Sequence, residues 1–225
     1  LYNPTSKTVD ISQMKLKSLT DNKPNVDLSG TIAAGGYYLI ERGTDGNTIL
    51  DIVAGANKSF GNGSGSGLVN TGEALAIEYK GANIDETPAI SACSGWCGGS
   101  SDTYYTMERY DPSASGTDSS NWGSFQSFLA NGKNADNVAI NGTPGKRNSL
   151  NYLITKDGSS LTQNKTLKKS ASPYIISGGY TVASGATLTV DPGVVIKFLT
   201  GQPSLTVNGV LKAGGSSSEK VIFTA

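Results

Sequence analysis

The feature that most constrains the fold is a series of short apolar runs near the end of the chain, separated by tight turns. A run over residues 180–190 leads through Asp191-Pro192-Gly193 into a second run over 194–198. The phrase Leu188-Thr189-Val190 recurs as Leu205-Thr206-Val207. Short β-branched strands that repeat at roughly 20-residue intervals are typical of solenoids, in which each coil pairs with the next. The pattern therefore predicts stacked β-coils over residues 173–225.

A stack of two or three such coils has an open end. Its last strands would present unpaired backbone groups and apolar side chains, which makes a free end prone to association. The sequence therefore predicts association through this end, and it also predicts that the natural protein continues beyond Ala225.

The preceding part of the chain has a different pattern. Helical periodicity is hard to find, and apolar residues alternate with polar or small ones, as expected for strands with one buried face. Three such runs contain Met14-Lys15-Leu16, Leu75-Ala76-Ile77 and Tyr105-Thr106-Met107. Turns are predicted at Asp45-Gly46-Asn47 and at similar points, with a flexible glycine-rich loop over residues 60–67. The pattern favours an all-β sandwich, with one helical turn predicted within residues 122–129.

Residues 149–172 form a third compositional region. They are polar, rich in lysine and poor in strong strand formers. We interpret them as a linker, with a short strand at residues 151–154. The three lysines between Lys165 and Lys169 are interpreted as a solvated face rather than a phosphate-binding patch.

Residues 1–148 resemble the lamin-tail domain, an immunoglobulin-like β-sandwich. The phrases that carry the resemblance occur in order along the chain: Leu1-Tyr2-Asn3-Pro4-Thr5, Val9-Asp10-Ile11-Ser12, residues 31–40, Leu68-Val69-Asn70-Thr71-Gly72-Glu73, Trp96, Met107-Glu108-Arg109, Asn121-Trp122 and Gly142-Thr143-Pro144-Gly145. The sequence departs from the family pattern in lacking most of the first strand before Leu1, in having cysteines on both sides of Trp96, and in a long stretch between Trp122 and Gly142.

The resemblance implies a modest function. In animals such domains end nuclear filament proteins, and in bacteria they accompany secreted or surface hydrolases. The family has no catalytic residues, so the resemblance implies none here. Residues 173–225 resemble in turn the opening coils of a right-handed parallel β-helix, an architecture found in adhesins and in polysaccharide-degrading enzymes.

Composition limits the function classes further. Lysine and arginine total 18, as do aspartate and glutamate, so the chain lacks the basic excess that nucleic-acid binding requires. No run reaches the ~18 apolar residues of a membrane helix, so the chain is predicted not to be transmembrane. The 29 glycines and the low charged fraction of 16% are typical of a turn-rich extracellular protein.

Cys93 and Cys97 are the two cysteines of the chain. Because histidine is absent, a zinc site would need carboxylates to complete its ligand set, which is an unusual combination. We therefore predict a disulfide between them in an exported protein, with a reduced pair as the alternative. So short a loop would shape the surroundings of Trp96 more than it would stabilise the domain.

The absence of histidine also rules out Ser-His-Asp and Cys-His catalysis within this chain. The remaining catalytic candidates are carboxylates at Asp85, Glu86, Asp111 and Asp118, which we interpret as solvated turn acids. No catalytic, cofactor-binding or metal-binding residue is predicted, although calcium remains a minor alternative because β-rich loops supply oxygen ligands.

The sequence thus predicts an all-β protein with three parts: a lamin-tail-like immunoglobulin-like sandwich (1–148), a linker (149–172) and the first coils of a parallel β-helix (173–225). Its predicted function is that of a non-catalytic binding or spacer module in a larger secreted or cell-surface protein, with a protein or a glycan as partner. The alternative is the accessory start of a β-helix enzyme that degrades polysaccharides and carries its catalytic coils downstream.

Overall fold

A computed structural model gives the architecture of most of the chain. It describes residues 1–42, 56–58, 67–134, 136–154, 159–199, 201 and 203–225, with backbone alone at 42 and 56–58. The chain divides into two compact units, Leu1–Leu150 and Asn151–Ala225. The turn predicted at Asp45-Gly46-Asn47 and nearly all of the loop predicted over 60–67 lie outside the described residues.

The first unit consists of short, mainly antiparallel strands. These are β1 (Val9–Asp10), β2 (Met14–Ser18), β3 (Asn25–Asp27), β4 (Thr31–Ile32), β5 (Ile40–Arg42), β6 (Ala56–Lys58), β7 (Leu75–Tyr79), β8 (Ala82–Glu86), β9 (Met107–Arg109) and β10 (Trp122–Ser124). One helical turn, α1 (Ile90–Cys93), precedes β9, and short 3-10 helices occur at Ser119–Asn121 and Ser149–Tyr152.

The main sheet of this unit is antiparallel and has the strand order β3-β2-β7-β8. Its central pair aligns Leu16 with Ile77, and β8 carries a bulge opposite the Ile77–Glu78 step. Two further antiparallel pairs join β1 to β4 and β9 to β10, while β5 and β6 are parallel.

The apolar core of the first unit is small. Alternating side chains of β1 to β4 and of the loops between them form it. Its fully buried members are Ile11, Val26, Leu28, Ile32 and Tyr38. Phe125 is 1% exposed and meets the ring of Tyr105 edge to face, and it follows β10 and lies outside any helix. The helical turn predicted for residues 122–129 is therefore wrong: β10 occupies its first three positions because they pair with β9.

The described residues of the second unit contain nine strands. They are β11 (Ser160–Leu161), β12 (Lys165–Leu167), β13 (Tyr174–Ile176), β14 (Gly179–Val182), β15 (Thr187–Val190), β16 (Val195–Phe198), β17 (Ser204–Val207), β18 (Val210–Ala213) and β19 (Ile222–Thr224). They form three parallel sheets with the orders β11-β14-β17, β12-β15-β18 and β13-β16-β19. Every third strand therefore returns to the same sheet, which is the arrangement of β-helix coils.

Alternation along these strands separates the core from the surface. In β15, Leu188 and Val190 are buried whereas Thr187 and Thr189 are partly exposed. Leu188 pairs in register with Leu211, and Leu167 pairs with Val190. Parallel in-register pairing places these inward residues in columns from coil to coil, because each residue lies beside its counterpart on the next strand. The predicted fold class, antiparallel sheets followed by coils of a parallel β-helix, is confirmed.

The repeat apparent in the sequence is not the structural repeat. Residues 188–190 belong to β15 and residues 205–207 to β17, and these strands lie in different sheets. The partners of Leu188 and Val190 are instead Leu211 and Ala213, 23 positions further on. The two similar phrases are thus strands of neighbouring faces, and similar inward-outward alternation on every face makes them look alike.

The first coil begins within the range interpreted as a linker. Strands β11 and β12, inside 149–172, pair in parallel with β14 and β15. Leu161 and Leu167 are buried in the same core as the later coils. Residues 149–152 form a 3-10 helix where a strand was predicted, and Leu153 makes one parallel bridge to Ile175. Leu161 and Leu167 are the buried residues of β11 and β12, whose other positions are exposed or partly exposed, and this explains the polar composition of the range.

No helix in the described part of the chain has the length and apolar character needed to span a bilayer.

Candidate functional site

The Met107-Glu108-Arg109 strand and the loop over residues 111–118 form the most highly organised polar region of the first unit. Arg109 Nη1 donates to Asp85 Oδ2 at 2.6 Å, and its Nη2 donates to the backbone carbonyl of Ala114. The guanidinium carbon lies 5.7 Å from the centre of the Trp122 ring, a cation-π distance. Arg109 therefore joins the edge strand β8, the loop and β10.

The loop approaches the edge strand more closely than a side chain would allow. A Cβ at position 116 would lie 2.1 Å from the carbonyl oxygen of Glu86, so only glycine fits there. The carbonyl of Gly116 in turn accepts a hydrogen bond of 2.7 Å from Trp122 Nε1. Asn121, which is 6% exposed, supports the same loop by accepting from Asp111 N and donating to the carbonyls of Asp111 and Ser115.

Glu108 lies on the opposite face of β9 and is 3% exposed. Its carboxylate accepts hydrogen bonds from Thr143 Oγ1 at 2.6 Å, Ser149 Oγ at 2.5 Å and Leu150 N at 3.2 Å. Charge-assisted bonds of this kind offset the desolvation of a buried carboxylate. The alternation around Met107 suggests that the apolar residues of this strand are buried, but the structure buries Glu108 instead.

A groove of about 970 Å³ runs along this region of the first unit. Its aromatic lining includes Trp122 and the tilted ring pair of Tyr2 and Tyr37, whose ring centres are 4.9 Å apart. Both tyrosines are more than a third exposed. Arg109 and Asp85, which are paired with each other, belong to its charged lining together with Glu86 and Lys146. The groove thus offers ring faces and fixed polar groups, a combination suited to binding rather than to proton transfer.

The carboxylates considered as catalytic candidates do not converge on one site. Asp85 pairs with Arg109, and Glu86 accepts from Asn83 Nδ2 at 2.8 Å. Asp111 Oδ1 accepts from the backbone and hydroxyl of Ser113, which closes a local turn. Asp118 caps the following 3-10 helix through Ser120, and these hydrogen bonds lower the pKa of Asp118. Each acid therefore stabilises a turn, a cap or an ion pair.

Cys93 and Cys97 are joined in a disulfide, with α-carbons 5.2 Å apart. The loop that it closes follows α1 and includes Trp96, whose indole N–H donates to the carbonyl of Val69 at 3.0 Å. Gly72 packs against the same loop, because a Cβ there would lie 2.6 Å from the carbonyl carbon of Gly95. The disulfide loop therefore holds the turn over residues 69–73 in place.

The last residue of that turn, Glu73, is 2% exposed. Its carboxylate interacts with the backbone of Val69 and with the side chains of Ser18 and Asp21. Burial raises the pKa of Glu73, and the neighbouring carboxylate of Asp21 raises it further. Within the described residues, no three His, Cys, Asp or Glu side chains form a metal-binding group.

Sequence reasoning missed the buried polar residues, Asn121, Thr143 and Glu108 among them. Each appears in the phrases that carry the family resemblance, but none differs in type from the many exposed Asn, Thr and Glu residues of the chain. The usable signal was their position beside tryptophan or glycine-proline turns, where a polar side chain often bonds to loop backbone.

Comparison with known proteins gives a partial match. Over 81 residues the chain is 35% identical to Protein bark beetle of Drosophila melanogaster, and the match covers 36% of this chain and 2% of that protein. The chain therefore corresponds to a very small part of the relative that it matches. No family model matches the chain, and no solved structure matches it.

Proposed function

We propose that this chain is a non-catalytic module of a larger secreted or cell-surface protein, in which the first unit binds a protein or glycan ligand and the second acts as a rigid stalk. The observation that carries the binding role is the groove of the first unit. It exposes the tilted Tyr2–Tyr37 ring pair, while two of its charged residues, Arg109 and Asp85, are paired with each other. Aromatic faces beside fixed polar groups are a common means of binding sugars and peptide side chains.

The stalk role is supported by the pairing of the second unit. Its three sheets satisfy backbone hydrogen bonds along the coil axis, and each coil adds an apolar layer such as Leu188 and Ile196 to the core. Because each coil packs on its neighbour in the same geometry, such stacks form stiff rods.

Export is supported by the disulfide and by the composition. Disulfides persist in oxidising compartments, and the pair at Cys93 and Cys97 is formed in the structure. The similarity of 36% of the chain to a small part of a much longer protein is consistent with a module in a large assembly of domains. A lamin-tail-like sandwich in the first unit is part of the same proposal, supported by its antiparallel sheets and by the order of its sequence phrases.

Glycan and protein arrays test the binding role. We expect the full chain to bind a defined class of array ligand, and the double variant Tyr2→Ser/Tyr37→Ser to lose at least tenfold in affinity. Tyr104→Ser is the matched control, because Tyr104 is 81% exposed and does not line the groove. Loss of binding in the Tyr104→Ser control as well would place the binding site outside the groove. The absence of binding on both arrays would contradict the binding role.

The absence of catalysis is a separate part of the proposal. The four candidate acids are engaged in local contacts, which supports it. We expect no increase in reducing ends when the full chain is incubated with a panel of acidic and neutral polysaccharides. Turnover that survives repurification and is lost on substitution of any of the four acids would contradict the non-catalytic role.

A further inference from the structure

The chain contains four acceptor sequences for N-linked glycosylation, which have the form Asn-X-Ser/Thr with X other than proline. They begin at Asn57, Asn62, Asn141 and Asn164. Asn57 is described by its backbone alone and Asn62 lies outside the described residues, so side-chain contacts distinguish only the other two. Because an N-linked glycan is bulky and hydrophilic, the asparagine that carries it must be exposed and have space around it.

Asn164 is exposed at the corner between β11 and β12. It accepts a hydrogen bond of 2.8 Å from Thr187 N, on the next coil, through Oδ1. A backbone N–H can only donate, so the carboxamide atom that faces the next coil is the oxygen. The nitrogen diverges from the oxygen at their shared carbon and is therefore directed away from that coil. Asn164 Nδ2 has no hydrogen-bond partner in the part of the chain that the structure describes.

The surroundings of Asn164 are open. Thr166, which supplies the acceptor hydroxyl, is exposed in β12, and its side chain has no hydrogen-bond partner within the described ranges. The corner of the next coil, at Ser184 and Gly185, is also exposed, and a Cβ on Gly185 would meet no atom within 4 Å. A glycan on Asn164 Nδ2 therefore has space on this corner of the β-helix.

The acceptor sequence Asn141-Gly142-Thr143 in the first unit lacks these properties. Asn141 Nδ2 donates to the carbonyl of Thr103 at 2.6 Å, so the atom that would carry the glycan lies against backbone. Thr143 is 6% exposed, and its hydroxyl donates to Glu108 Oε1 at 2.6 Å. A glycan on Asn141 would have to displace the contact with Thr103, and the hydroxyl of this acceptor sequence is buried once the chain folds.

We propose that Asn164 is an N-glycosylation site of the exported protein and that Asn141 is not. This inference rests on the proposed export of the chain and does not depend on the groove. Asn164 Nδ2 forms a bond to C1 of an oligosaccharide that a transferase takes from a lipid-linked diphosphate. The bond from C1 to the diphosphate oxygen breaks, the lipid diphosphate leaves with the electron pair, and the amide nitrogen gives one proton to a base of the transferase. The substituted amide keeps its oxygen, so the hydrogen bond from Thr187 N is retained.

Secretion of the full chain from cultured animal cells, directed by a signal peptide, tests the site. Peptide-N-glycosidase in heavy-oxygen water converts a glycosylated asparagine to labelled aspartate, which mass spectrometry distinguishes from spontaneous deamidation. We expect a glycan on Asn164 in most molecules, and on Asn141 at least tenfold less often. Thr166→Ala should abolish the glycan on Asn164. Thr166→Ser is the matched control and should retain it, because serine also supplies the acceptor hydroxyl.

Three results would overturn the proposal. The first is an unmodified Asn164 in secreted protein whose Cys93–Cys97 disulfide has formed, because that disulfide reports passage through an oxidising compartment. The second is equal occupancy of Asn141 and Asn164, and the third is a glycan on Asn164 that persists in Thr166→Ala. The groove is tested separately by probing the arrays with the glycan-free Thr166→Ala chain. Absence of binding there would contradict the binding role and leave the glycan assignment unchanged.

Discussion

The two units are stabilised by different means. The second unit buries a continuous apolar column, with Leu167, Leu188 and Ile196 fully inaccessible. The first unit has a smaller apolar cluster of five fully buried residues. It contains all the buried polar residues of the described chain, namely Asn3, Ser18, Glu41, Glu73, Glu108, Asn121, Thr143 and Ser149.

The difference follows from where backbone hydrogen bonds are satisfied. Coils of the second unit satisfy theirs in parallel ladders, so the side chains inside can be apolar. Loops of the first unit have no such ladder, and buried side chains such as Asn3 supply the missing donors, here to the carbonyls of Lys7, Ile32 and Ala33. A turn-rich sandwich therefore depends on particular polar residues, whereas a β-helix depends on a repeated pattern.

The largest expected effect is in the apolar column. Leu188→Ala should lower the free energy of unfolding of the second unit by about 3–5 kcal/mol, because it removes a fully buried side chain between two coils. Hydrogen exchange of amides in residues 161–196 measures it. Thr189→Ala, on the outward side of the same strand, is the control and should cost well below ~1 kcal/mol. Equal losses from both substitutions would break the assignment of inward and outward positions.

The next effect concerns the polar network of the first unit. Glu108→Gln should lower its stability by about 2–3 kcal/mol, since an amide cannot accept from Thr143, Ser149 and Leu150 together. Denaturant unfolding followed by tryptophan fluorescence measures this, because both tryptophans lie in the first unit. Glu86→Gln, at a more exposed position, is the control. If Glu108→Gln left the stability of the first unit unchanged, this would contradict the view that polar contacts replace a large apolar core in that unit.

The disulfide should contribute less. The double variant Cys93→Ser/Cys97→Ser should lose about 1–2 kcal/mol, because the closed loop is short and restricts the unfolded chain little. It should also change the emission of Trp96, whose indole contact with Val69 depends on that loop. An unchanged emission spectrum with a larger loss of stability would mean that the disulfide acts on the whole unit rather than on its loop.

The smallest effect is the pH dependence from Glu73. Its pKa is raised in the folded state, so the folded protein binds this proton more tightly than the unfolded chain does. Stability from this group is therefore full below the ordinary glutamate pKa and is lost as pH rises through the raised value. Unfolding free energies measured against pH should show this decline in the unsubstituted protein and not in Glu73→Gln. Identical curves would show that Glu73 does not titrate differently on folding.

The two regions also differ in how far their structures could be predicted. Parallel coils are predictable because strand alternation and turns recur, although the 23-residue offset between Leu188 and Leu211 was hidden by the similar phrase at 205–207. The start of the first coil was missed because Leu161 and Leu167 are its main apolar markers in a polar stretch. The presence of strands in the first unit could likewise be predicted from the alternation of apolar residues with polar or small ones.

The groove and the contact between Glu73 and Asp21 could not be predicted, for a physical reason. Pairing of Arg109 with Asp85, or of Glu73 with Asp21, joins residues that are distant in the chain and depends on how loops pack. Glycine at 116 is required by the approach of a loop to Glu86, and in the sequence it looks like any other glycine. Alternation determines which face of a strand is buried, and in β9 that face carries Glu108.

The most direct test of the contrast between the units is the strand pairing of the second unit, measured by interstrand nuclear Overhauser effects. Parallel coils predict backbone contacts that join Leu188 to Leu211 and Tyr180 to Leu205, with residues 188–190 and 205–207 in separate sheets. Antiparallel contacts between residues 187–190 and 204–207 would mean a hairpin in place of two coils, and they would contradict the β-helix and the stalk proposed from it.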